Sequence, residues 1–460
     1  MNYEAPLILP ELEQLAEPVS LVVALSGGLD SMVLLESVTR LRDAGLLKRP
    51  LRALHVHHGL SPAADHWLEF CAEQCARRNI HYEHARVSLD QRDGESLEAL
   101  ARKARYRVFS DTLGTNQCLL LGHHQDDQME QLLLRLSRGS GPGGLSGMPK
   151  SRILGAGSLL RPLLGFPRRQ LRQFAETAGL QWIEDESNAS LRFDRNFWRR
   201  EILPRIEQRF PGYRDSWQKS MALCAEAELL GEQLAGQDLA LTASEEPRIL
   251  NLAPLLKLSP ARQRNLLRHW MLRAGFTPPG WQTMHRLSDE ILPGSSPAAR
   301  LDCADGAVQR FGAQLVLMGP AAKLETRSCQ WDPRRDPQLS LAGNGSLTSS
   351  LYNAGGQRPE QRAGGLLLRV PEGSLTVAYR SGGEPVRLAG RGCKPLRKVL
   401  QESNLPAWLR ARQPLLFQQD RLVCIPGIGI ADGYLAAPGE QALSVSWQAP
   451  DLLFHRPSRD

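Results

Sequence analysis

Four short apolar runs, Leu21 to Leu25, Leu51 to Val56, Ile80 to Val87 and Cys118 to Leu121, recur up to about Ile183 with longer helix-like stretches between them. Runs of that length read as buried strands, and helices alternating with them predict an α/β fold with a parallel sheet. Helices are expected from near Met32, over Ala63 to Arg78, within Glu95 to Thr112 and over Asp127 to Leu136. The stretch Gly139 to Gly147 is too rich in glycine for regular structure and reads as a mobile lid or linker. Further on, Tyr213 to Ala240 and Leu255 to Leu272 carry helical patterns, so a mainly α-helical domain follows. Asp332 to Gly365 is Gly/Ser/Pro-rich and aperiodic, as a linker would be. Beyond it the runs Leu366 to Val370, Leu375 to Tyr379, Leu415 to Phe417 and Leu422 to Pro426 flank a basic helical stretch, Pro395 to Ser403, and form a small α+β domain. The division expected is therefore 1–212, 213–331, a linker 332–365, and 366–460.

At 460 residues and 42% apolar content the chain can build two to four domains with their own cores. Its formal charge of +7 comes from arginines spread along the chain, which suits a surface that meets polyanions without establishing one. Met1 to Pro18 holds glutamates and no basic apolar leader, so no signal or transit segment is expected. No apolar run approaches the roughly 20 residues that span a bilayer, so no membrane partner is expected either. Eight scattered cysteines fit reduced thiols in a cytoplasmic protein. Cys71 and Cys75, one helical turn apart, read as small buried thiols rather than metal ligands.

The most informative chemistry is Ser26-Gly27-Gly28-Leu29-Asp30-Ser31, placed where the first strand turns into a helix. Paired glycines let the main chain approach an anion, and the first N–H groups of a helix have no intrahelical partner. The loop lacks the Gly-Lys-Ser/Thr ending of the common nucleotide loop. It offers Asp30 instead, and a carboxylate beside a phosphate cradle calls for a bridging cation, Mg2+.

A second cluster, Gly122-His123-His124-Gln125-Asp126-Asp127-Gln128-Met129-Glu130, follows the strand ending at Leu121. Capping accounts for one acid at a helix start; two adjacent aspartates plus Glu130 exceed that need and can aim carboxylates at one cation or one nucleophile. His123 and His124 fit metal ligands, bases, or, most plainly, a polar rim around a nucleotide. Glu98, Arg102, Arg105 and Tyr106 recur at helical spacing. Asp185 to Asn188, followed by Arg195-Asn196-Phe197-Trp198-Arg199-Arg200, puts guanidiniums one turn apart beside aromatics, a pattern suited to phosphate contacts and base stacking.

The Ser-Gly-Gly-X-Asp-Ser loop resembles the signature of the PP-loop ATP pyrophosphatases, which split ATP to AMP and pyrophosphate while adenylating a substrate. The wider set is similar, in the same order, to the tRNA(Ile)-lysidine synthases. It comprises His55-Val56-His57-His58-Gly59-Leu60, Ala101-Arg102-Lys103-Ala104-Arg105-Tyr106, the His-His-Gln-Asp-Asp-Gln cluster, Arg138 to Gly141 with Gly144 to Met148, Arg161-Pro162-Leu163-Leu164 and Glu184 to Arg199. Lys394 to Lys398 through Trp408, and Pro414 to Phe417, resemble the family's C-terminal domain, so the resemblance spans nearly the whole chain. One departure is Gln131, where the family usually has threonine after the glutamate.

The resemblance implies a PP-loop ATP-binding catalytic domain (1–212), a helical substrate- or tRNA-binding domain (213–331) and a C-terminal tRNA-binding domain (366–460). It implies ATP-dependent attachment of L-lysine to C2 of the wobble cytidine in the CAU anticodon of tRNA(Ile), through an adenylated base, shifting codon reading from AUG to AUA. On the matching positions Ser26, Gly27, Gly28, Leu29, Asp30 and Ser31 would hold ATP, and Asp30 and Asp127 would hold Mg2+. Glu130 would meet the lysine amine and Arg102 would act in catalysis, while Arg105, Arg195, Asn196 and Arg199 would contact phosphate or tRNA. A homodimer stays open. Rival readings are a tRNA thiolase, though no Cys-X-X-Cys pair is present, an ammonia-using synthetase, and a noncatalytic RNA-binding protein.

Overall fold

The computed structural model describes the chain apart from residues 1, 17, 60–62, 89–96, 185–193, 295, 297–298, 320–323, 325, 353–366, 381, 383, 404 and 451–460. The expected acids Asp185 and Glu186, Asn188, Leu60 and the side chain of Glu98 lie outside the described residues. The chain forms two compact units, Met1–Leu230 and Gly231–Asp460. Among the described residues no helix is long and apolar enough to cross a membrane.

The first unit is built on strands β1 (Ser20–Ala24), β2 (Leu51–His57), β3 (His81–Arg86), β4 (Gln117–Leu120), β5 (Ser151–Leu154) and β6 (Gly157–Leu160) in the order β3-β2-β1-β4-β6-β5. All neighbours are parallel except the β5–β6 hairpin. Side chains alternate across the sheet as the strand period of two requires. Leu21, Val23 and Leu25 enter one core with Cys118, Leu120 and Leu160, whereas Val22 enters the other with Leu119, Leu121 and Leu159. Helices α1 (Leu29–Asp43), α2 (Ala64–Arg77) and α3 (Leu97–Thr112) connect the first four strands. The parallel sheet and intervening helices agree with the sequence expectation. The β5–β6 hairpin was not anticipated.

This topology places the site. The chain runs β1, β2, β3 in one direction across the sheet and then returns to lay β4 on the other side of β1. A crevice opens at such a reversal, outside the carboxyl ends of the two central strands. The Ser26–Ser31 loop leaves β1 there, and helix α4 (Gln125–Ser137) starts just beyond β4. A Cβ on Gly122 would stand 2.9 Å from the Asp30 carbonyl oxygen and 3.2 Å from the Ser31 nitrogen. Glycine is what lets the two loops touch.

Three expectations change. The Gly139–Gly147 stretch contains a helical turn, α5 (Pro142–Leu145), with proline at its start, where a missing N–H costs nothing. The helix expected to open a second domain at Tyr213 runs Tyr213–Thr242, and Tyr213 and Met221 pack with Met129, Leu132 and Leu203 in the core of the first unit. The described part of the expected linker 332–365 holds two strands, Gln338–Ser340 and Ser346–Tyr352, the latter paired along its length with Ala442–Gln448. Ser346, Thr348 and Ser350 share one strand face while Leu347 and Ser349 are buried on the other, so polar composition concealed a sheet. Within the second unit the helical segment also carries a four-stranded antiparallel sheet (Ile249–Asn251, Arg300–Cys303, Gly306–Phe311, Gln314–Met318) over a core centred on Trp270. The C-terminal helix spans Leu396–Glu402 beside short strands, as expected.

Gly122→Ala should force the loops at the ends of β1 and β4 apart. A cost of about 2 kcal/mol is expected for such overpacking, a fall of roughly 4–8 °C in the melting temperature of a unit this size, together with weakened ATP binding. Calorimetry with and without ATP checks both.

Candidate active site

The phosphate cradle is a strand-to-helix turn locked by its own hydroxyls. Ser26 N–H donates to Ser31 Oγ at 3.3 Å, and Ser31 Oγ donates to the Gly28 carbonyl at 2.9 Å. Gly27 sits at φ +83°, and its carbonyl accepts from Ile183 N–H at 2.9 Å. No side chain caps α1 at Gly28, so its first-turn amides are left for an anion. Behind β1, His55 Nδ1 lies 2.8 Å from the Leu25 carbonyl and is fully packed.

His124 ties this cradle to the acid cluster. It caps α4: Asp127 N–H donates to its Nδ1 at 3.3 Å, and its own N–H donates to Asp127 Oδ2 at 3.0 Å. With Nδ1 accepting, the proton of the neutral ring is on Nε2, which stands 3.6 Å from Asp30 Oδ2 and 3.5 Å from Asp127 Oδ2. Burial opposes charge on this ring, yet Asp127 and Asp30 outweigh it and raise its pKa above the ordinary histidine value. Asp127 is the converse: burial works against its charge, but His124, His123 and Arg195 hold the carboxyl far below the usual range.

Arg195 and Arg199 come from a helical run of Asp194–Phe197, a π-helical turn Trp198–Ile202 and Leu203–Arg209. Arg199 grips Glu130 with two bonds, Nε to Oε1 at 2.6 Å and Nη2 to Oε2 at 3.2 Å, and reaches Asp127 Oδ1 at 3.4 Å. Arg195 Nε is 3.3 Å from Glu130 Oε2, and its Nη2 is 3.7 Å from Asp127 Oδ1. Glu130 is 0% exposed. Burial and the neighbouring Asp127 raise its pKa against the pull of Arg199. The structure thus joins Asp30, Asp127, Glu130, Arg195 and Arg199 in one network, while Asn196 is buried beside it.

Asp126, adjacent in sequence, points elsewhere. Its Oδ2 accepts from Arg168 N–H at 2.7 Å, at the start of helix α6 (Arg168–Thr177), and its Oδ1 accepts from Arg214 Nε and Nη2 at 3.1 and 2.7 Å. Burial raises its pKa, but these donors more than offset that and leave it lowered.

Arg102 and Arg105 form a separate basic group around Tyr106. Arg102 and Arg152 lie over its ring at 5.0 and 5.3 Å, and Arg161 Nε donates to His123 Nδ1 at 3.2 Å. Burial opposes ionisation of Tyr106, yet the arginines lower its pKa. Burial, with Arg161 and Arg105, pushes His123 down to about 3, and burial and Arg105 push His58 down to about 4. Both rings are neutral at physiological pH, a polar rim rather than acids. Cys71 and Cys75 are buried, and burial pushes both thiols up to about 12, so they are protonated core groups.

Sequence reasoning missed Arg168, Arg214 and Arg152. Arg168 carries a local signal, since it follows Pro167 at a helix start. Arg214 and Arg152 carry none. Arg161 stood in a quoted motif without a role.

Residues 8–206 match the family described as "PP-loop domain", 250–316 that described as "TilS substrate binding domain", and 375–447 that described as "TilS substrate C-terminal domain". The chain is 37% identical to a tRNA(Ile)-lysidine synthase of Coxiella burnetii over 93% of both chains. It is 38% identical to that of Serratia proteamaculans over 93% of this chain and 95% of the other, and 39% identical to that of Pseudomonas aeruginosa over 93% of both.

Asp126→Ala should act on stability before chemistry, because it leaves the Arg168 N–H at the start of α6 without its acceptor and Arg214 with Glu207 alone. Losing such charge-assisted bonds at a partly buried site costs about 2 kcal/mol, or roughly 4–8 °C for a unit of this size. Because the folded pKa of Asp126 is depressed, its contribution is present above the ordinary carboxylate range and lost as pH falls through the lowered folded value. Melting curves from neutral to acid pH should therefore converge for wild type and variant at low pH.

Proposed function

The chain belongs to the tRNA(Ile)-lysidine synthases, and on that premise we propose that the Asp30–His124–Asp127 bridge marks the reacting centre for its lysine-transfer chemistry. It is an ATP-using ligase that modifies tRNA. The C2 carbonyl oxygen of the wobble cytidine in the CAU anticodon attacks the α-phosphorus of ATP, a P–O bond forms and pyrophosphate leaves. The unprotonated ε-amine of free L-lysine then attacks C2, the C2–O bond breaks, AMP departs and the amine loses its proton. Codon reading passes from AUG to AUA and amino-acid identity from methionine to isoleucine.

The residues divide this work by position. The open amides at the start of α1, with Ser26 and Ser31, take the phosphates and stabilise the charge that grows on them. Asp30 Oδ1 is buried without a hydrogen bond, 3.5 Å from Arg168 Nε, and among the described residues no three His, Cys, Asp or Glu side chains are gathered around one metal position. That donor set fits Mg2+, which takes one or two carboxylates and completes its shell with phosphate and water. Asp30 and Asp127 would hold it, and it would neutralise phosphate charge. Glu130 takes a different part from the one expected of it: enclosed and doubly bonded to Arg199, it positions the guanidiniums rather than meeting the lysine amine. Arg195 and Arg199 then present their remaining donors to phosphate. Arg102 and Arg105 serve tRNA phosphates at the crevice, and the basic C-terminal unit takes the acceptor arm.

The observation that carries the reading is the direct approach of the β1 and β4 loops through His124. A purified chain given ATP, Mg2+ and radiolabelled lysine should label unmodified tRNA(Ile) with a CAU anticodon and leave the methionine tRNA with the same anticodon unlabelled, releasing AMP and pyrophosphate. Asp30→Ala should lower that rate about 100-fold or more while tRNA affinity stays within about twofold. ATP cleavage dependent on ammonia or a sulfur donor, without lysine transfer, would move the protein to a sister activity, and no pyrophosphate release at all would leave a binder.

A further inference from the structure

Trp281 is the anomaly of the second unit. Its indole is 73% exposed, although Trp270 and Trp331 in the same unit are fully buried. An indole joins a large apolar face to a polar N–H, which suits it to contact surfaces. The segment Pro278-Pro279-Gly280 leads directly into the helix Trp281–Arg286, so the indole stands at a stiff entry.

One face of the ring is backed. His285, one turn on, stacks at 4.0 Å between ring centres with a 37° tilt. His285 is in turn held by Asp289 at 3.6 Å, and Asp289 accepts from Ser288 Oγ at 2.7 Å. The ladder Trp281–His285–Asp289 fixes the indole from behind and leaves its outer face open. Alongside runs the helix Pro260–Arg273, whose Arg264 reaches Ser288 Oγ at 3.3 Å and Asp289 at 3.7 Å. Helical spacing continues that stripe through Arg268 toward Leu272, with Arg273 closing the helix, and all three are exposed.

We infer that Trp281, backed by His285, is a stacking platform for an unpaired base of the tRNA substrate. An indole held from one side and open on the other is the surface on which an unstacked base rests, and the exposed guanidiniums of the helix Pro260–Arg273, which joins the same ladder through Arg264, answer the phosphate that the base carries. Residues 250–316, which contain Trp281, match a family described as a substrate binding domain. The inference rests on the function proposed above, and the platform's part is affinity for RNA.

The test is fluorescence anisotropy of labelled tRNA(Ile) with the full chain, run beside lysine incorporation. Trp281→Ala should weaken tRNA binding about 5- to 20-fold, the scale of one lost base stack. KM for tRNA should rise in parallel, with kcat and KM for ATP unchanged. Trp281→Phe should keep most of the affinity, and His285→Ala should lose part of it, since the unbacked indole can rotate. Because the side chain is exposed, melting temperatures should not move. Trp281→Ala binding within twofold of wild type would overturn the platform with the function intact. So would unchanged binding together with a lower sedimentation coefficient, which would make the indole a contact between copies of the chain. A wild-type chain that binds the tRNA and transfers no lysine would instead sink the function, and anisotropy would still judge the platform.

Discussion

Four carboxylates crowded around two helix starts must each find a counter-charge, and the rest of the catalytic unit follows from that requirement. Two like charges about 4 Å apart repel by roughly 4 kcal/mol at the effective dielectric near a protein surface, so Asp30, Asp126, Asp127 and Glu130 could not be packed together bare. Each is answered differently. An imidazole stands between Asp30 and Asp127, two guanidiniums close over Glu130, and Asp126 is turned away to a backbone amide and Arg214. At Asp127 and Glu130, which are buried, removing a partner leaves a charge with little water to answer it. The network therefore dictates that β1 lies beside β4, that glycine occupies 122, and that the arginine helix folds back over α4.

The histidines show the same economy. His124 sits among acids and is pulled toward its charged form, whereas His123, next in the chain, faces Arg161 and Arg105 and is held neutral. One dipeptide thus marks the border between an acidic floor and a basic wall. Tyr106 belongs to the wall, its ring covered by two guanidiniums. A ligand with phosphates and a base meets both signs of charge within one crevice.

The central strands, the cradle and the acid cluster could be read from sequence because each is local. A run of apolar residues ending in Ser-Gly-Gly, or two aspartates opening a helix, carries its meaning within a few positions. The partners could not be read that way. Arg199 lies 69 residues from Glu130 and Arg214 lies 88 from Asp126; the pattern around Arg199 marked it for phosphate but not for Glu130, and nothing at Arg214 distinguishes a network member from a surface arginine. Glu130 shows the same limit: the resemblance implied an acid that meets the lysine amine, and nothing near it in sequence announces that Arg195 and Arg199 stand on its carboxylate. Strand Ser346–Tyr352 was missed because one serine-rich face reads as linker until its partner strand, nearly a hundred residues on, is in place. The hairpin of β5 and β6 was missed because four-residue strands around a glycine turn carry too little pattern.

The glycine-rich stretch after α4 has a further consequence. Gln128, buried in that helix, holds both polar groups of the Met148 backbone, accepting from its N–H at 2.6 Å and donating to its carbonyl at 3.0 Å. The helix supplies the stretch at one end and, through this amide, clamps it at the other. Closing a loop of nine or ten residues is a cost met once, when the domain folds. The backbone of that segment is thereby pinned at both ends to one helix, and its position follows that of α4.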